Sequence, residues 1–269
     1  MKNILNKGLL AALLGLVGMS ASADNHHIAL NNILVGGYFG GKWLTPDKMQ
    51  GPTWLWGGEQ ANVFYPDGRQ DEGTACAIHR DHPDEENGEE TANEPDAPVF
   101  DIQFPTYRSA SYPSHTLVIT HEVEWNVMPR KAEKLPPDNA QYKAMAADFL
   151  AGRKLPHRRV DLTRLQKVDL DGNGTDEVIM VGYAAGGKTP FAMLRQIQQG
   201  HVATTMLTEP SDGKVVDLYT ADLNGDGRME VILGTQTRKL IHQMVYTVSN
   251  GDANRVIRNS WPVRQRKRR

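Results

Sequence analysis

The feature that most constrains the fold is an internal repeat in the C-terminal part of the chain. The stretches Leu165–Met180 and Leu218–Leu233 align with an offset of 53 residues, which places Asp169 over Asp222. In both copies an Asp/Asn/Gly-rich loop lies between two runs of apolar, often β-branched residues, and such runs favour strands. A further pair of apolar runs, joined by a glycine turn, follows each copy. We therefore predict two four-stranded units, each built as strand, loop, strand and hairpin.

The loop shared by the two copies has the composition of a cation site. Its pattern is Asp-x-[Asp/Asn]-x-[Asn/Asp]-Gly-x-x-Glu, which begins at Asp169 and Asp222 and ends at Glu177 and Glu230. Side-chain oxygens at the first, third and fifth positions of a tight loop converge on one point, and the glycine permits the sharp turn. The next residue offers its backbone carbonyl, and the final acid closes the shell. Because Ca²⁺ takes about six to eight oxygen ligands, the pattern predicts two calcium loops.

An EF-hand begins with the same pattern, but it needs a bidentate acid at the twelfth position and a helix on each side. The twelfth position is Met180 in the first copy and Leu233 in the second, and both are apolar. The strand-like residues after each loop also exclude flanking helices. We therefore reject an EF-hand, and a dockerin-type pair for the same reason. The other alternative is a pair of Asp/Asn/Gly turns without an ion, and the duplication weighs against it.

The loops resemble the calcium loops of FG-GAP/VCBS-type repeat proteins, the β-propeller repeats also found in integrin α-chains. The resemblance covers residues 160–261, and it is to the wider repeat class because no Phe-Gly…Gly-Ala-Pro tract accompanies the loops. It implies that each unit is a propeller blade whose first two strands are joined by the loop. Two blades do not close a ring, so the N-terminal half either provides degenerate blades or the domain is an open β-structure. The implied ligands are Asp169, Asp171, Asn173, the carbonyl of Thr175 and Glu177 in the first loop, and Asp222, Asn224, Asp226, the carbonyl of Arg228 and Glu230 in the second.

The first 23 residues have the pattern of a bacterial-type secretory signal. Two lysines precede an apolar run at residues 8–19, and Ala-Ser-Ala at 21–23 provides the small residues of a cleavage site. The apolar run is too short to span a bilayer as a helix. We therefore expect a signal helix at residues 1–23, a mature chain that starts at Asp24, and a periplasmic or extracellular location. Calcium is plentiful outside cells, where weak oxygen-ligand sites can fill.

Residues 24–135 hold short apolar runs between Gly/Pro turns, which predicts an N-terminal β-rich region. The longest of these runs, Thr116–Val127, alternates in part and is predicted to be a strand. The stretch from Asp71 to Asp101 contains 11 acidic residues and one basic residue. Such a charge run is typical of a solvated loop, although it could also form a cation-binding or docking surface.

A connector at residues 136–158 separates this region from the repeats. Within it, Ala140–Leu150 has apolar residues at helical spacing and is the one convincing helix of the mature chain. The two calcium-loop repeats follow at residues 159–262. A basic tail at 263–269 ends the chain and could contact an anionic surface, although a solvated tail is the plainer interpretation.

A single cysteine excludes an intrachain disulfide and zinc sites that need several thiolates. Cys76, His79 and His82 have the spacing Cys-x-x-His-x-x-His, which allows a soft-metal site inside the acidic run. A polar loop that contains these residues by chance is the plainer interpretation.

A second metal hypothesis concerns the start of the mature chain. The free amine, two backbone amides and the imidazole of Asp24-Asn25-His26 could bind Cu(II) or Ni(II) in a square plane. The plainer interpretation is that His26 and His27 belong to a mobile terminus.

Catalytic motifs are absent from the sequence: it contains no Gly-x-Ser-x-Gly elbow, phosphate-binding loop or His-Glu-x-x-His. With 30 Lys+Arg and 32 Asp+Glu, the charge balance does not indicate nucleic-acid binding, and no apolar run is long enough for a transmembrane segment. We therefore expect a mainly β, exported calcium-binding protein built as a partial or degenerate β-propeller. Its predicted role is a binding or adhesion module for an unknown protein or carbohydrate. The alternative is a secreted propeller-type hydrolase or lyase acting on polysaccharide.

Overall fold

The computed structural model describes residues 25–31, 33–50, 58–65, 69–78, 99–103, 116–121, 123–198, 201–249 and 251–263. In these ranges the chain is mainly β, with sixteen strands and one α-helix, so the predicted fold class is confirmed at this level. Within the same ranges, no helix is both long enough and apolar enough to cross a bilayer. The expected signal helix and the basic residues 264–269 lie outside the described residues.

Seven strands form an N-terminal antiparallel sheet, in the order β1-β7-β4-β5-β6-β2-β3, and β1 also pairs with β2. These strands are β1 (His26–Leu30), β2 (Ile33–Phe39), β3 (Lys42–Leu44), β4 (Glu59–Phe64), β5 (Gln70–Ile78), β6 (Val99–Gln103) and β7 (Leu117–Thr120). A propeller blade places its strands side by side in chain order, whereas here β7 lies between β1 and β4. The N-terminal half is therefore a separate sheet and not a set of degenerate blades.

Each repeat forms an antiparallel meander whose four strands lie in chain order. The first contains β9 (Asp161–Val168), β10 (Glu177–Ala184), β11 (Thr189–Gln198) and β12 (His201–Met206), and the second contains β13 (Lys214–Ala221), β14 (Glu230–Gln236), β15 (Leu240–Ser249) and β16 (Asp252–Pro262). A two-residue strand, β8 (Glu133–Lys134), pairs with β9 and extends the sheet of the first repeat. The order strand, loop, strand and hairpin is the one that the internal repeat predicts.

The two repeat sheets pack face to face. Successive side chains of a strand point to opposite faces, so one face of each sheet is turned to the other repeat and one is turned away from it. In β10, Ile179 and Val181 pack against the second repeat, whereas Val178 and Met180 point to the opposite side. The shared core between the repeats contains Val168, Leu170, Ile179, Val181, Ala192, Leu194, Leu207, Met229, Val231, Leu233, Met244, Tyr246 and Val248. Central strands that are apolar on both faces require cover on both sides.

Other layers cover the outer faces of this pair. The α-helix α1 (Ala140–Gly152) places Ala146 and Leu150 against the outer face of the first repeat. The N-terminal sheet packs Ile28 and Leu30 against the outer face of the second repeat, in a core that includes Ile257. The layer order is therefore helix, first repeat, second repeat and N-terminal sheet.

Helix α1 begins and ends at residues with clear local causes. The side chain of Asn139 accepts hydrogen bonds from the backbone N–H groups of Gln141 at 3.0 Å and Tyr142 at 3.3 Å, as an N-cap does. The helix ends at Gly152, which the sequence, together with Pro156, predicts to end it. Its apolar residues face the first repeat, which stabilises a short helix more than intrinsic propensity does.

The expectation of a mobile terminus at the two neighbouring histidines is wrong. His26 and His27 lie in β1 and are 1% and 2% exposed. Nε2 of His26 donates a hydrogen bond to the carbonyl of Leu223 in the second repeat, and the backbone N–H of His27 donates to Oγ1 of Thr120 at 2.9 Å. Pairing of β1 with two strands holds the segment in the sheet. A buried imidazole is unsuited to a terminal copper or nickel site, so the structure disfavours that hypothesis.

The predicted strand Thr116–Val127 is too long, because the observed strand ends at Thr120. His121 has a φ of +70°, which takes the backbone out of the extended conformation. The chain then runs irregularly to the repeats, where the carbonyl of Val127 accepts a hydrogen bond of 2.7 Å from the N–H of Asp222. The apolar residues after Thr120, such as Val123 and Val127, therefore pack against the second repeat and do not form a strand.

The acidic run is not a loop throughout its length. It begins inside β5 and ends inside β6, and these two strands pair with each other. Residues 79–98, which include His79 and His82, lie outside the described residues, and so does the side chain of Cys76. The soft-metal hypothesis for these three residues stays a prediction.

Candidate metal centre

The two oxygen-rich loops occupy equivalent places in the two repeats. The first joins β9 to β10, and the second joins β13 to β14. Strand pairing extends to the edges of both loops, since Glu177 pairs with Val168 and Glu230 pairs with Ala221. The final acid of each loop is therefore the first residue of a buried strand, which fixes its backbone next to the start of the loop.

The first aspartate of each loop organises the loop backbone. Oδ1 of Asp169 accepts hydrogen bonds from the N–H groups of Gly172 at 2.8 Å and Asn173 at 3.0 Å, and Oδ2 accepts one from Gly174 at 3.0 Å. Aspartate favours such turns because its short side chain reaches backbone groups a few residues ahead.

Asp222 repeats this pattern in the second loop. Its Oδ1 accepts from Gly225 at 2.8 Å and its Oδ2 from Gly227 at 2.9 Å. The two glycines have φ values of +72° and +81°, in the left-handed region where a β-carbon is strained. Gly172 and Gly174 of the first loop have φ values of +76° and +84°, so both loops require glycine at two positions, and only the second of these belongs to the predicted pattern.

The third and fifth positions also correspond. In the first loop the N–H of Asn173 donates to Oδ1 of Asp171 at 3.1 Å, and the N–H of Thr175 donates to Oδ1 of Asn173 at 2.7 Å. In the second loop the N–H of Asp226 donates to Oδ1 of Asn224 at 3.2 Å, and the N–H of Arg228 donates to Oδ1 of Asp226 at 2.8 Å. The two loops thus share one backbone design.

The final glutamates are buried and anchored at one oxygen. Oε2 of Glu177 accepts a hydrogen bond of 2.7 Å from the N–H of Leu170, and Oε2 of Glu230 accepts one of 2.8 Å from Leu223. Both side chains are almost fully enclosed, at 0% and 1% exposure. The other oxygen of Glu177, Oε1, is buried and has no hydrogen-bond partner among the described residues. A buried carboxylate oxygen without a donor is costly unless a cation completes its environment.

The first loop brings three of its predicted ligands together. Carboxylate oxygens of Asp169, Asp171 and Glu177 lie within 4.8 Å of one another, the one such group of three acidic, His or Cys residues in the described part of the chain. The second loop has an amide, Asn224, where the first has Asp171. It has an acid, Asp226, where the first has Asn173, so each loop carries three acids at its predicted ligand positions, and those of the second do not form such a close group.

The electrostatics of the glutamates follow from this crowding. Burial, together with the Asp171 and Asp169 carboxylates, raises the pKa of Glu177 to about 7. Burial, with Asp226 and Asp222 nearby, also raises the pKa of Glu230 well above its usual range. Enclosure in low dielectric and like charges both disfavour the ionised acid. A divalent cation bound to these carboxylates would favour the ionised acids and so offset both effects.

The donor set fits a hard divalent cation. It consists of carboxylate, amide and backbone oxygens, which suit Ca²⁺ or Mg²⁺ and do not suit soft metals. The unpartnered Oε1 of Glu177 and the clustered carboxylates of the first loop are the observations that support the fit. The carbonyls of Thr175 and Arg228 lie at the predicted positions in the chain, directly after the loop glycines.

Three residues outside the repeated motif hold the loops in place. Nε1 of Trp125 donates a hydrogen bond of 2.9 Å to the carbonyl of Asp222, and His26 donates to the next carbonyl along the chain. Arg130 donates to carbonyls of both loops. All three are distant from the loops in sequence, and no local pattern marks them.

Together, the fold and the loops define an antiparallel β-repeat protein with paired oxygen-rich loops. Residues 169–233 match the family model of an FG-GAP-like repeat. The matched stretch contains both loops and makes up about a quarter of the chain. It confirms the resemblance that the loops predicted, and such a repeat suggests a binding or adhesion-type module. Comparisons with curated proteins and with solved structures give no match.

Proposed function

We propose that this protein is an exported binding module whose two FG-GAP-type loops hold structural calcium. The observation that carries the calcium assignment is the buried Glu177, which uses Oε2 to fix the loop and has no hydrogen-bond partner for Oε1 among the described residues, while its carboxylate lies in a group with those of Asp169 and Asp171. This arrangement is electrostatically unfavourable by itself and favourable around a divalent cation. The second loop supports the proposal because it repeats the same hydrogen bonds with a buried Glu230.

The residues of the first loop that would hold the ion are Asp169, Asp171, Asn173, Glu177 and the carbonyl of Thr175. In the second loop they are Asp222, Asn224, Asp226, Glu230 and the carbonyl of Arg228. Calcium would supply positive charge there and would take these oxygens as its ligands. The loop residues then hold the ends of two adjacent strands together, so the ion stabilises the sheet and needs no catalytic role.

The layer arrangement suggests how far the propeller likeness extends. Each repeat has the strand order of a blade, and the two repeats stack through a shared apolar core. Helix α1 and the N-terminal sheet cover the two outer faces of that stack. We infer a partial propeller of two blade-like units whose ends are closed by other elements rather than by further blades.

Export and partner recognition belong to the same proposal. The signal-like first 23 residues support a periplasmic or extracellular location, where calcium concentrations suit weak loop sites. The FG-GAP repeat supports recognition of a protein or carbohydrate partner. Calcium fixes the loops and the strand ends beside them, so we expect partner binding to depend on calcium.

Calorimetric calcium titration and thermal melts with and without chelator test the proposal. Calcium at about 100 times its Kd adds about 2.7 kcal/mol per site to the free energy of unfolding. We expect Asp169→Ala and Asp222→Ala each to remove one site and its stability increment. Asp176→Ala is the matched control, because Asp176 belongs to the first loop but pairs with Lys167 at 2.9 Å. Melts that respond neither to chelator nor to the two loop substitutions would exclude structural calcium.

A further inference from the structure

The guanidinium of Arg130 lies between the two loops and bonds to both. Its Nε donates to the carbonyl of Asp169, and its Nη2 donates to the carbonyls of Leu170 at 3.1 Å and Gly227 at 2.7 Å. A β-carbon built on Gly172 would lie only 3.3 Å from Nη1, so the guanidinium also packs closely on the first loop. One side chain thus contacts loop residues from both repeats.

A direct backbone bond joins the loops at the same place. The N–H of Met229 donates to the carbonyl of Leu170 at 2.7 Å. The N–H of Leu170 in turn donates to Glu177, the final acid of the first loop. Met229 is the residue before Glu230, the final acid of the second loop. The peptide groups of Leu170 and Met229 therefore form a short path between the two acids, and Arg130 bonds to the shared carbonyl.

We propose that Arg130 is a positioning residue that couples the two loops, so that filling one loop with calcium raises the affinity of the other. The inference rests on the proposed calcium function. An ion in the first loop would fix Glu177, and through Leu170 it would fix the backbone of Met229 beside Glu230. The second loop would then lose less conformational freedom when it binds its own ion. Such coupling is reciprocal by thermodynamic necessity.

Arginine suits this task because its planar guanidinium presents several N–H donors in a fixed geometry. Lysine keeps the positive charge but has a single ammonium on a flexible stem. Arg130→Lys therefore separates the bonding role from the electrostatic effect of a positive charge near two cation sites. Arg164→Lys is the matched control, because Nη2 of Arg164 also joins the repeats by donating to the carbonyl of Val216 at 2.7 Å, but it lies on β9, outside the loops.

The test compares calcium affinity at the first loop with the second loop intact or silenced by Glu230→Gln. In the protein with Arg130, we expect silencing to weaken the first loop about fivefold or more, within the usual range of coupling between sites. In the Arg130→Lys background the effect should fall close to onefold, and in the Arg164→Lys background it should persist. Equal coupling with Arg130 or Lys at this position, or none with Arg130 present, would overturn the inference and leave the calcium sites standing. Failure of the protein to bind calcium at all would overturn both proposals.

Amide hydrogen exchange at Met229 gives a second readout if Arg130→Lys does not fold. In Glu230→Gln protein, calcium fills only the first loop. We expect the N–H of Met229 to exchange several-fold more slowly when calcium is added, because its acceptor on Leu170 becomes fixed. An unchanged exchange rate at Met229, with the first loop shown to be filled, contradicts coupling through this path.

Discussion

The backbone N–H of Leu170 donates a hydrogen bond of 2.7 Å to Oε2 of Glu177, across the full length of the first loop. This bond explains why an acid ends the motif: one oxygen closes the loop backbone, and the other stays available to an ion. The same relationship joins Leu223 to Glu230 at 2.8 Å. The two functions of the carboxylate can be separated by substitutions that keep the hydrogen bond and remove the charge.

Glu177→Gln is such a substitution. Glutamine keeps an oxygen that accepts from Leu170, and its amide N–H₂ can donate to the neighbouring Asp169 or Asp171 carboxylates. In metal-free buffer we expect the free energy of unfolding to stay the same or rise by about 0.5–1 kcal/mol, because no buried charge is left uncompensated. Calcium affinity at the first loop should fall by about tenfold or more, which corresponds to about 1.4 kcal/mol. Urea unfolding and calorimetry measure the two effects.

Glu177→Ala is the comparison for this prediction. Alanine removes the hydrogen bond as well as the charge, so it should lower both calcium affinity and metal-free stability, the latter by about 1–3 kcal/mol. If Glu177→Gln destabilises the metal-free protein as much as Glu177→Ala does, the carboxylate has no unfavourable charge to remove, and the assignment of a strained, cation-ready site is wrong.

The pH dependence of stability without metal follows from the raised pKa of Glu177, about 7 against an ordinary 4.5. A raised acid pKa means that the folded state favours the protonated form. The contribution of Glu177 to the free energy of unfolding is therefore fully present below pH 4.5, and it is lost as the pH rises through 7. We expect the metal-free protein to lose roughly 1–3 kcal/mol over this range relative to Glu177→Gln. Calcium should abolish the difference in slope, since the ion stabilises the ionised acid; parallel pH profiles for the two metal-free proteins contradict the prediction.

The sequence predicts the loops well because their chemistry is local. The side-chain oxygens and the backbone groups that define the first loop lie between Asp169 and Glu177. The duplicated pattern also shows that a strand precedes and follows each loop. The two meanders are also predictable, because hairpin strands adjacent in the chain pair with each other. The FG-GAP-like match at residues 169–233 contains both loops and the strands between them.

The rest depends on contacts between residues far apart in the chain. Arg130 bonds to a carbonyl of Gly227, and His26 bonds to the carbonyl of Leu223. Backbone carbonyls carry no sequence signature, so nothing in the chain marks these pairs. The non-sequential order of the N-terminal sheet has the same origin, since β7 pairs with β1 and β4, which lie far from it in the chain.

Gly182 is predicted to be essential for the first repeat. A β-carbon at this position would clash with the carbonyl of Asp161 and lie 2.9 Å from the Cα of Leu162, where β9 and β10 change register. Backbone atoms cannot move aside as a flexible side chain can, so Gly182→Ala should lower the free energy of unfolding by about 2–3 kcal/mol. Gly152→Ala is the control, because no atom lies within 4 Å of a β-carbon there and α1 gains helix propensity. Chemical denaturation of both variants checks the prediction, and equal stabilities contradict it.

Trp125 offers a way to observe the second loop separately from the first. Its indole Nε1 donates to the carbonyl of Asp222 at 2.9 Å, which places the ring beside the first residue of that loop. Terbium, an oxygen-seeking ion that substitutes for calcium, emits when a nearby indole transfers excitation to it. We expect terbium emission excited through tryptophan to fall strongly in Trp125→Phe and in Asp222→Ala.

The matched control for this experiment is Trp261→Phe. Trp261 lies on β16 and donates to the side chain of Gln243 at 3.3 Å, without a bond to either loop. Its removal should leave most of the sensitised emission, and added calcium should displace terbium and quench the signal in the parent protein. If Trp125→Phe and Trp261→Phe lose equal emission, or if calcium does not compete, terbium is bound outside the second loop. Because energy transfer falls steeply with distance, this comparison decides whether an ion occupies the loop that Asp222 organises.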